Sequence, residues 1–146
     1  MSNPSDRICI DASLALKWVL PEKHTDWALE LLYDWISKGF KLIAPTLFIF
    51  EVTSTLRNKV HRQIISWEEG FLALDQIRRG RIELILSPKL VDRAWEISGG
   101  LRLPTAYDAF YLALAEEQNC QFWTADRNLV SILKKHKMDW ARWIGD

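Results

Sequence analysis

This chain of 146 residues has few cysteines, glycines and prolines. Its two cysteines, Cys9 and Cys120, each lie in or beside an apolar run, which favours buried thiols over a disulfide or a zinc site. Six glycines and five prolines exclude a collagen-like or low-complexity chain. The longest uncharged apolar stretch, residues 42–50, contains Pro45 and is too short to span a bilayer.

The chain also lacks an obvious targeting segment and an excess of charge of either sign. Residues 1–7 do not begin an apolar signal sequence, because Asp11 and Lys17 interrupt the apolar residues after them, so we expect a cytoplasmic protein without membrane association. Nineteen basic residues balance nineteen acidic ones, which argues against a binder of nucleic acid driven by overall charge. Carboxylates collected around a metal ion would leave a basic remainder, so nucleic acid is not excluded.

What the chain does contain is typical of one soluble domain. Hydrophobic residues make up 49% and charged residues 26%, and the length predicts a single domain over residues 1–146. Eight tryptophans are many; because Trp27, Leu31 and Trp35 recur at helical spacing, we expect most of the indoles in the core rather than in a platform for stacked bases. The three histidines lie in polar sequence and are expected at the surface.

Apolar strands alternate with helical patterns along the chain. Strands are predicted at residues 7–11, 41–44, 82–86 and 121–124, with a further edge strand within 138–143. Helices are predicted at residues 12–19, 25–37, 46–61, 66–80, 88–97, 105–118 and 126–135. Continuous apolarity in the first strand indicates a central parallel strand that is covered on both faces. The alternation predicts an α/β fold, a three-layer α/β/α sandwich around a mostly parallel sheet.

Two acids follow strands of this predicted sheet. Asp11 ends the first strand, and Asp126 comes directly after the strand that ends at Thr124. In open parallel sheets, ligands bind beyond the carboxyl ends of the strands, which favours a functional role for both acids. An aspartate after a strand is also a good N-cap for the next helix, so the structural interpretation stays open.

Two further acids lie on helices. Asp108 shares a stripe with Tyr111, Leu112 and Ala115 in a segment that is apolar all round, and a carboxylate there is expensive to desolvate without donors or a cation. The alternative is that Thr105 caps the helix and Asp108, at the third helical position, completes a capping-box-like pair. Glu51 lies at the border of an apolar stripe, which suits a cleft as well as a solvated glutamate.

Taken together, the four carboxylates predict a metal site. If they converge, they repel one another unless a divalent cation lies among them. Oxygen ligands without His or Cys favour Mg²⁺ or Mn²⁺ over zinc. Such ions activate water and stabilise phosphoryl charge, so the pattern indicates phosphodiester hydrolysis.

Four segments of the chain resemble the PIN domain, and most closely the VapC-like toxin ribonucleases of prokaryotic toxin–antitoxin systems. They are Ile8–Ser13, Phe50–Val52, Tyr107–Glu116 and Thr124–Asp126. The likeness spans essentially the whole chain, and the third segment is its most specific part. It implies a three-layer α/β/α sandwich with an acidic pocket, and a Mg²⁺- or Mn²⁺-dependent endoribonuclease.

The resemblance also assigns roles to particular residues. Asp11 and Asp108 match the most direct metal ligands, and Glu51 and Asp126 complete the site directly or through water. Ser13 and Thr124 match positions whose hydroxyls orient carboxylates or water. The likeness further implies an RNA substrate, a homodimer, and a small antitoxin protein that covers the pocket.

Arg57 stands out among the basic residues. Most basic clusters are explained as solvated helix faces. Arg57 lies on the same predicted helix as Glu51, and there it could guide RNA towards the acids.

Other functions fit the residues less well. Phosphoryl transfer onto an aspartate would need a second acid close to Asp11, but Ala12 and Ser13 follow it. A remaining alternative is a PIN-like module that binds RNA or protein without cutting, with the four acids forming a structural metal site.

Overall fold

The computed structural model describes residues 5–146, in which strands and helices alternate. The strands are β1 (Arg7–Ile10), β2 (Lys41–Pro45), β3 (Ile82–Ile85), β4 (Gln121–Thr124) and β5 (Ala141–Trp143). The helices are α1 (Ala12–Val19), α2 (Thr25–Ser37), α3 (Leu47–His61), α4 (Trp67–Arg79), α5 (Pro88–Gly100), α6 (Tyr107–Glu117) and α7 (Arg127–Lys135). Every element predicted from the pattern is present, including the edge strand β5.

The five strands form one parallel sheet in the order β3-β2-β1-β4-β5. From β1 the chain first builds outward through β2 and β3, and then returns to the other side of β1 to add β4 and β5. The strand order therefore reverses between β1 and β4, and a parallel sheet opens a crevice at the carboxyl ends of such a pair. Asp11 and the Thr124–Asp126 segment lie at that crevice.

Helices cover both faces of the sheet. On one side α1 packs against α2, α3 and α4; on the other α5 packs against α6, which lies on β1, β2 and β4. The central strands are apolar on both faces, and Cys9, Ile10, Ile43 and Phe122 are fully buried. The three-layer α/β/α prediction is confirmed. The boundary prediction for residues 1–146 stays a prediction, and its first four residues lie outside the described part of the chain.

Local signals set most of the helix ends. Ser66 and Glu69 form the predicted capping box, with reciprocal hydrogen bonds of 3.0 Å. Gly39 follows α2 in the left-handed region, at φ 78°. The prediction that α5 ends before Gly99 was wrong, because the helix runs through Gly100 and Leu101 donates its amide to Ile97. Burial of the Leu101 side chain continues the apolar stripe and outweighs the weak helix propensity of the glycines.

The tryptophans divide between the core and the surface. Trp35 and Trp123 are buried, and three more indoles pack against the core: Trp18, Trp140 and Trp143. Trp67 and Trp95 are exposed, and Trp27 keeps 37% of its surface accessible. The expectation that most indoles belong to the core therefore holds for five of the eight, but not for Trp27, which helped to motivate it.

Both cysteines are free thiols, with Cys9 buried and Cys120 partly buried. Within residues 5–146 no helix is long and apolar enough to cross a membrane. The prediction that the N-terminus carries no signal sequence falls partly on residues 1–4, outside the described residues.

Candidate active site

Asp11 lies at the carboxyl end of β1 and is 7% exposed. Its Oδ1 accepts hydrogen bonds from the Ser13 hydroxyl at 2.7 Å and from the Leu14 amide at 3.1 Å, so it is the N-cap of α1. Burial raises the pKa of this carboxyl from 3.8 to about 6, against the opposing effect of its hydrogen bonds and with a further increase from Asp108. Asp11 is therefore both a helix cap and an acid that is difficult to ionise without a neighbouring cation.

Thr124 connects Asp11 with Asp126. Its buried hydroxyl donates to Asp11 Oδ2 at 2.6 Å and accepts a bond of 3.0 Å from the Asp126 amide. Asp126 caps α7 by accepting from the Leu129 amide at 3.0 Å. Asp11 and the backbone amide of Asp126 are thus joined through the Thr124 hydroxyl, and Ser13 belongs to the same unit through a 3.3 Å contact with Thr124.

Glu51 enters the site from α3 and is held by a residue of α6. The Tyr111 hydroxyl donates to Glu51 Oε1 over 2.5 Å. Partial burial raises the pKa of Glu51, the Tyr111 bond lowers it, and Asp108 raises it again. Burial and the Glu51 carboxylate raise the pKa of Tyr111 far above its ordinary value, so its hydroxyl stays protonated and remains a donor.

Asp108 occupies the first turn of α6 and is half-buried. Within residues 5–146 its carboxylate has no hydrogen-bond or ion-pair partner. Burial raises its pKa, and Asp126 raises it further. The alternative in which Thr105 caps this helix was wrong, because the N-cap is Ala106, without a side-chain bond. Helix capping therefore does not account for Asp108.

The charge of Asp108 is coupled to the charge of each of the other three acids. Its charge raises the pKa of Asp11 and of Glu51, while Asp126 raises that of Asp108. Asp108 therefore lies near enough to each of the other acids for their charges to interact. No group of three or more His, Cys, Asp or Glu side chains is already arranged to hold a metal ion in the described part of the chain. The four acids are thus coupled electrostatically, but their carboxylates are not arranged around a common metal position.

Arg57 lies elsewhere on α3. It is exposed and lines a small apolar groove between α3 and α4, together with Trp67 and Phe71. Arg57 lies six positions after Glu51 in the sequence. At 100° per residue, the two side chains therefore lie on different faces of the helix. Its role in guiding RNA stays a prediction.

Tyr111 was not among the predicted site residues. In the sequence it looks like one more apolar residue of a buried helix. The available signal was its spacing, because a tyrosine three residues after Asp108 lies on the same helix face. A buried tyrosine also needs a partner for its hydroxyl, and here that partner is a carboxylate of the site.

Residues 8–135 match the PIN domain. The chain belongs to the PIN domain family. Within that family this PIN domain protein is VapC-like: over 122 residues it is 35% identical to the VapC ribonuclease Mb0985 of Mycobacterium bovis. The alignment spans 84% of this chain and 87% of the relative. Ribonuclease VapC9 of Mycobacterium tuberculosis matches with the same identity and coverage.

Two solved structures share the fold of this PIN domain. PAE2754 from Pyrobaculum aerophilum aligns with a TM-score of 0.68 at 24% identity, over 95% of this chain and 90% of that one. VapC20 of Mycobacterium tuberculosis, a Sarcin-Ricin loop cleaving toxin, aligns with a TM-score of 0.62 at 17% identity, over 85% and 93%. At these identities the likeness concerns the fold.

Proposed function

We propose that this protein is a Mg²⁺- or Mn²⁺-dependent endoribonuclease that hydrolyses RNA phosphodiester bonds, and that it is the toxin of a toxin–antitoxin pair. The observation that carries the proposal is Asp108, a half-buried carboxylate that has no hydrogen-bond or ion-pair partner among residues 5–146 and is electrostatically coupled to the three other acids. The relatives named as VapC ribonucleases supply the substrate class.

The donor chemistry fits a hard divalent cation. The four acids and the hydroxyls bonded to them offer only oxygen donors, and oxygen ligands favour Mg²⁺ or Mn²⁺. Asp11 and Asp108 would hold the ion, with Glu51 and Asp126 completing its shell directly or through water. Because the carboxylates repel one another, we expect their side chains to close in only when the cation is present. Such an ion, when bound, lowers the pKa of a water molecule and offsets charge on the phosphate.

The protein's own groups have distinct tasks in the hydrolysis. Thr124 and Ser13 fix the direction of the Asp11 carboxylate, because each donates a hydroxyl proton to one of its oxygens. Tyr111 fixes Glu51 through Oε1, which leaves Oε2 to accept the proton of the attacking water. The water oxygen then forms a bond to phosphorus while the bond to the leaving sugar oxygen breaks, and that oxygen takes up a proton from solvent. A glutamate whose pKa is raised is a better general base than a solvated one.

The test is cleavage of RNA by the purified protein with Mn²⁺, comparing wild type with Asp108→Asn. The variant should lose cleavage by at least about a hundred-fold, the usual scale of an essential acid–base or metal contact, and should keep its melting temperature. Cleavage unaffected by the substitution would refute the proposed site. Loss of cleavage together with unfolding would instead favour the non-catalytic module, in which the acids stabilise the fold.

We also propose that the protein forms a homodimer and that a small antitoxin protein covers the acidic pocket. Large apolar side chains remain available for such contacts, since Trp95 is 78% exposed and Phe50 is 68% exposed. Light scattering of the isolated protein tests the dimer. Inhibition of cleavage by a co-expressed antitoxin, with recovery after its removal, tests the pair.

A further inference from the structure

An aromatic and cationic cluster lies beyond the carboxyl ends of β4 and β5. The imidazole of His24 stacks on the indole of Trp27 with centroids 3.8 Å apart and planes 13° apart. Trp143 meets both rings edge-on, at 6.2 Å from His24 and 5.9 Å from Trp27. The Arg127 guanidinium lies 4.9 Å from the centroid of Trp143. The proposed hydrolysis uses none of these four side chains.

Hydrogen bonds connect this cluster with the acidic site. The Trp143 indole N–H donates to the Ala125 carbonyl at 3.3 Å, and the Ala125 amide donates to the Ser13 hydroxyl at 3.2 Å. Ser13 in turn donates to Asp11. Arg127 follows Asp126 directly in the chain. The aromatic cluster is therefore the immediate neighbour of the acids at the β1–β4 crevice.

The cluster is held in place and open to solvent. His24 adopts a left-handed backbone conformation, φ 66°, which is unfavourable for a non-glycine residue and which sets its ring against Trp27. Trp27 is 37% exposed. Arg127 is exposed, and no ion-pair partner for it occurs among residues 5–146. Nucleic-acid strands bind to groups of these two kinds: bases stack on an indole face, and phosphates bind a guanidinium. Both groups lie here beside the acidic site.

Nearby charges give the expected direction of that strand. Acidic side chains line the shallow cavity on another side of Trp27: Glu30, Asp34 and Asp146. Asp34 is paired with Lys38, and Asp146 with Lys134 and Arg142. Glu30 has no ion-pair partner among residues 5–146 and repels phosphates, so the backbone is expected to follow Arg127 and not this cavity. A base stacked on Trp27 would then belong to a nucleotide whose phosphate lies near Arg127, the residue that directly follows Asp126.

We infer that His24, Trp27, Trp143 and Arg127 form a platform that binds one unpaired nucleotide of the RNA next to the cleaved phosphodiester, with the base against the indole of Trp27 and the phosphate at Arg127. The inference rests on the proposed ribonuclease function and assigns its substrate contact. It selects single-stranded RNA, because a base inside a duplex has both faces covered by its stacked neighbours.

The experiment measures binding of a fluorescent single-stranded RNA by anisotropy, in an Asp108→Asn background that prevents cleavage. Trp27→Ala should weaken binding at least about five-fold, the lower end of the contribution of one stacked base. Trp27→Phe should restore most of it. Tyr33→Ala is the matched control, since Tyr33 is a 63% exposed aromatic on the same helix. Arg127→Gln should reduce the salt dependence by about one phosphate contact.

A second arm varies the RNA in place of the protein. Single bases are removed in turn from the oligonucleotide, and removal at one position should weaken binding by wild type. Removal at that same position should not change binding by Trp27→Ala. In the cleaving protein, Trp27→Ala should raise KM and leave kcat nearly unchanged. The base-removal series with wild type does not require any cluster variant to fold.

The outcomes separate the inference from the function on which it rests. If the protein with intact acids neither binds nor cleaves RNA, the proposed function fails, and the platform fails with it. If that protein cleaves while Trp27→Ala binds RNA as tightly as Tyr33→Ala, or no single base removal matters, the platform is wrong and the ribonuclease stands. Wild-type binding that depends on Trp27 but not on any base would mean that the cluster contacts something other than a nucleobase.

Discussion

The Thr124 hydroxyl lies 2.6 Å from Asp11 Oδ2, across 113 residues of sequence. The Thr124 hydroxyl oxygen also accepts a hydrogen bond from the Asp126 backbone amide. One buried hydroxyl therefore contacts the acids that follow two adjacent strands. The bond also opposes the effect of burial on the pKa of Asp11. The geometry of the candidate site thus depends on a residue that is not itself an acid.

Thr124→Val should destabilise the fold as well as the site. Valine keeps the shape but leaves Asp11 Oδ2 and the Asp126 amide without this partner, and such a loss costs roughly 1–3 kcal/mol. Urea unfolding at pH 7 measures the change, and Thr124→Ser, which keeps the hydroxyl, should recover most of it. A valine variant as stable as wild type would mean that water replaces the hydroxyl.

Tyr111→Phe should affect activity more than stability. Without the hydroxyl, Glu51 loses its donor, so we expect kcat to fall about ten-fold, equivalent to about 1.4 kcal/mol in the barrier, while the free energy of unfolding changes by about 1 kcal/mol or less. Steady-state cleavage and urea unfolding give the two quantities. Tyr107→Phe is the control, because Tyr107 is exposed on the same helix; an equal effect of both substitutions would contradict a specific role for Tyr111.

The acids at strand ends could be predicted, because the position of a strand end follows from the sequence pattern. Ile8-Cys9-Ile10 is continuously apolar and stops at Asp11, and a later apolar run ends at Thr124, two residues before Asp126. A parallel sheet brings such ends to one edge. Capping does not exclude a functional role for these acids, since both residues cap helices and are also coupled electrostatically to Asp108.

Contacts between distant side chains could not be predicted in the same way. Tyr111 reads as core because its partner Glu51 lies 60 residues earlier, and nothing in either segment fixes the distance between α3 and α6. The aromatic cluster was missed for a similar reason. Trp143 belongs to a three-residue edge strand, and only the pairing of β5 with β4 brings it beside Ala125. Trp27 was assigned to the core because it recurs at helical spacing with Leu31 and Trp35. Of these three side chains only Trp35 is buried.

Divalent cations should raise the melting temperature through Asp108. A ligand that binds only the folded state adds about 2.7 kcal/mol at one hundred times its dissociation constant, so Mn²⁺ should stabilise wild type in proportion to the logarithm of its concentration. Asp108→Asn should abolish most of this increase, whereas Asp92→Asn, which removes an exposed acid of α5, should not. Equal stabilisation of all three proteins would place the cation outside the proposed site.

Without divalent cations, stability should fall as the pH rises from about 4 to about 6. The pKa of Asp11 is about 6 in the folded protein against 3.8 as its ordinary value, so the folded state binds the proton more tightly than the unfolded chain. Its contribution is therefore fully present below 3.8 and is lost as the pH rises through 6. The difference amounts to about 3 kcal/mol at 1.36 kcal/mol for each pKa unit. Glu51 and Asp108 act in the same direction, because their pKa values are also raised.

Other carboxylates oppose this trend, since the pKa values of Glu69 and Asp146 are lowered. The informative quantity is therefore the difference in unfolding free energy between wild type and Asp11→Asn, measured in urea from pH 3.5 to 7.5 with a chelator present. The asparagine cannot titrate, so wild type should lose stability relative to it over this range. Saturating Mn²⁺ should remove the loss, because a bound cation favours the ionised carboxylate. A difference that is flat with pH, or that grows in favour of wild type, would show that Asp11 ionises as readily in the fold as in water and would leave the acids without any need for a metal.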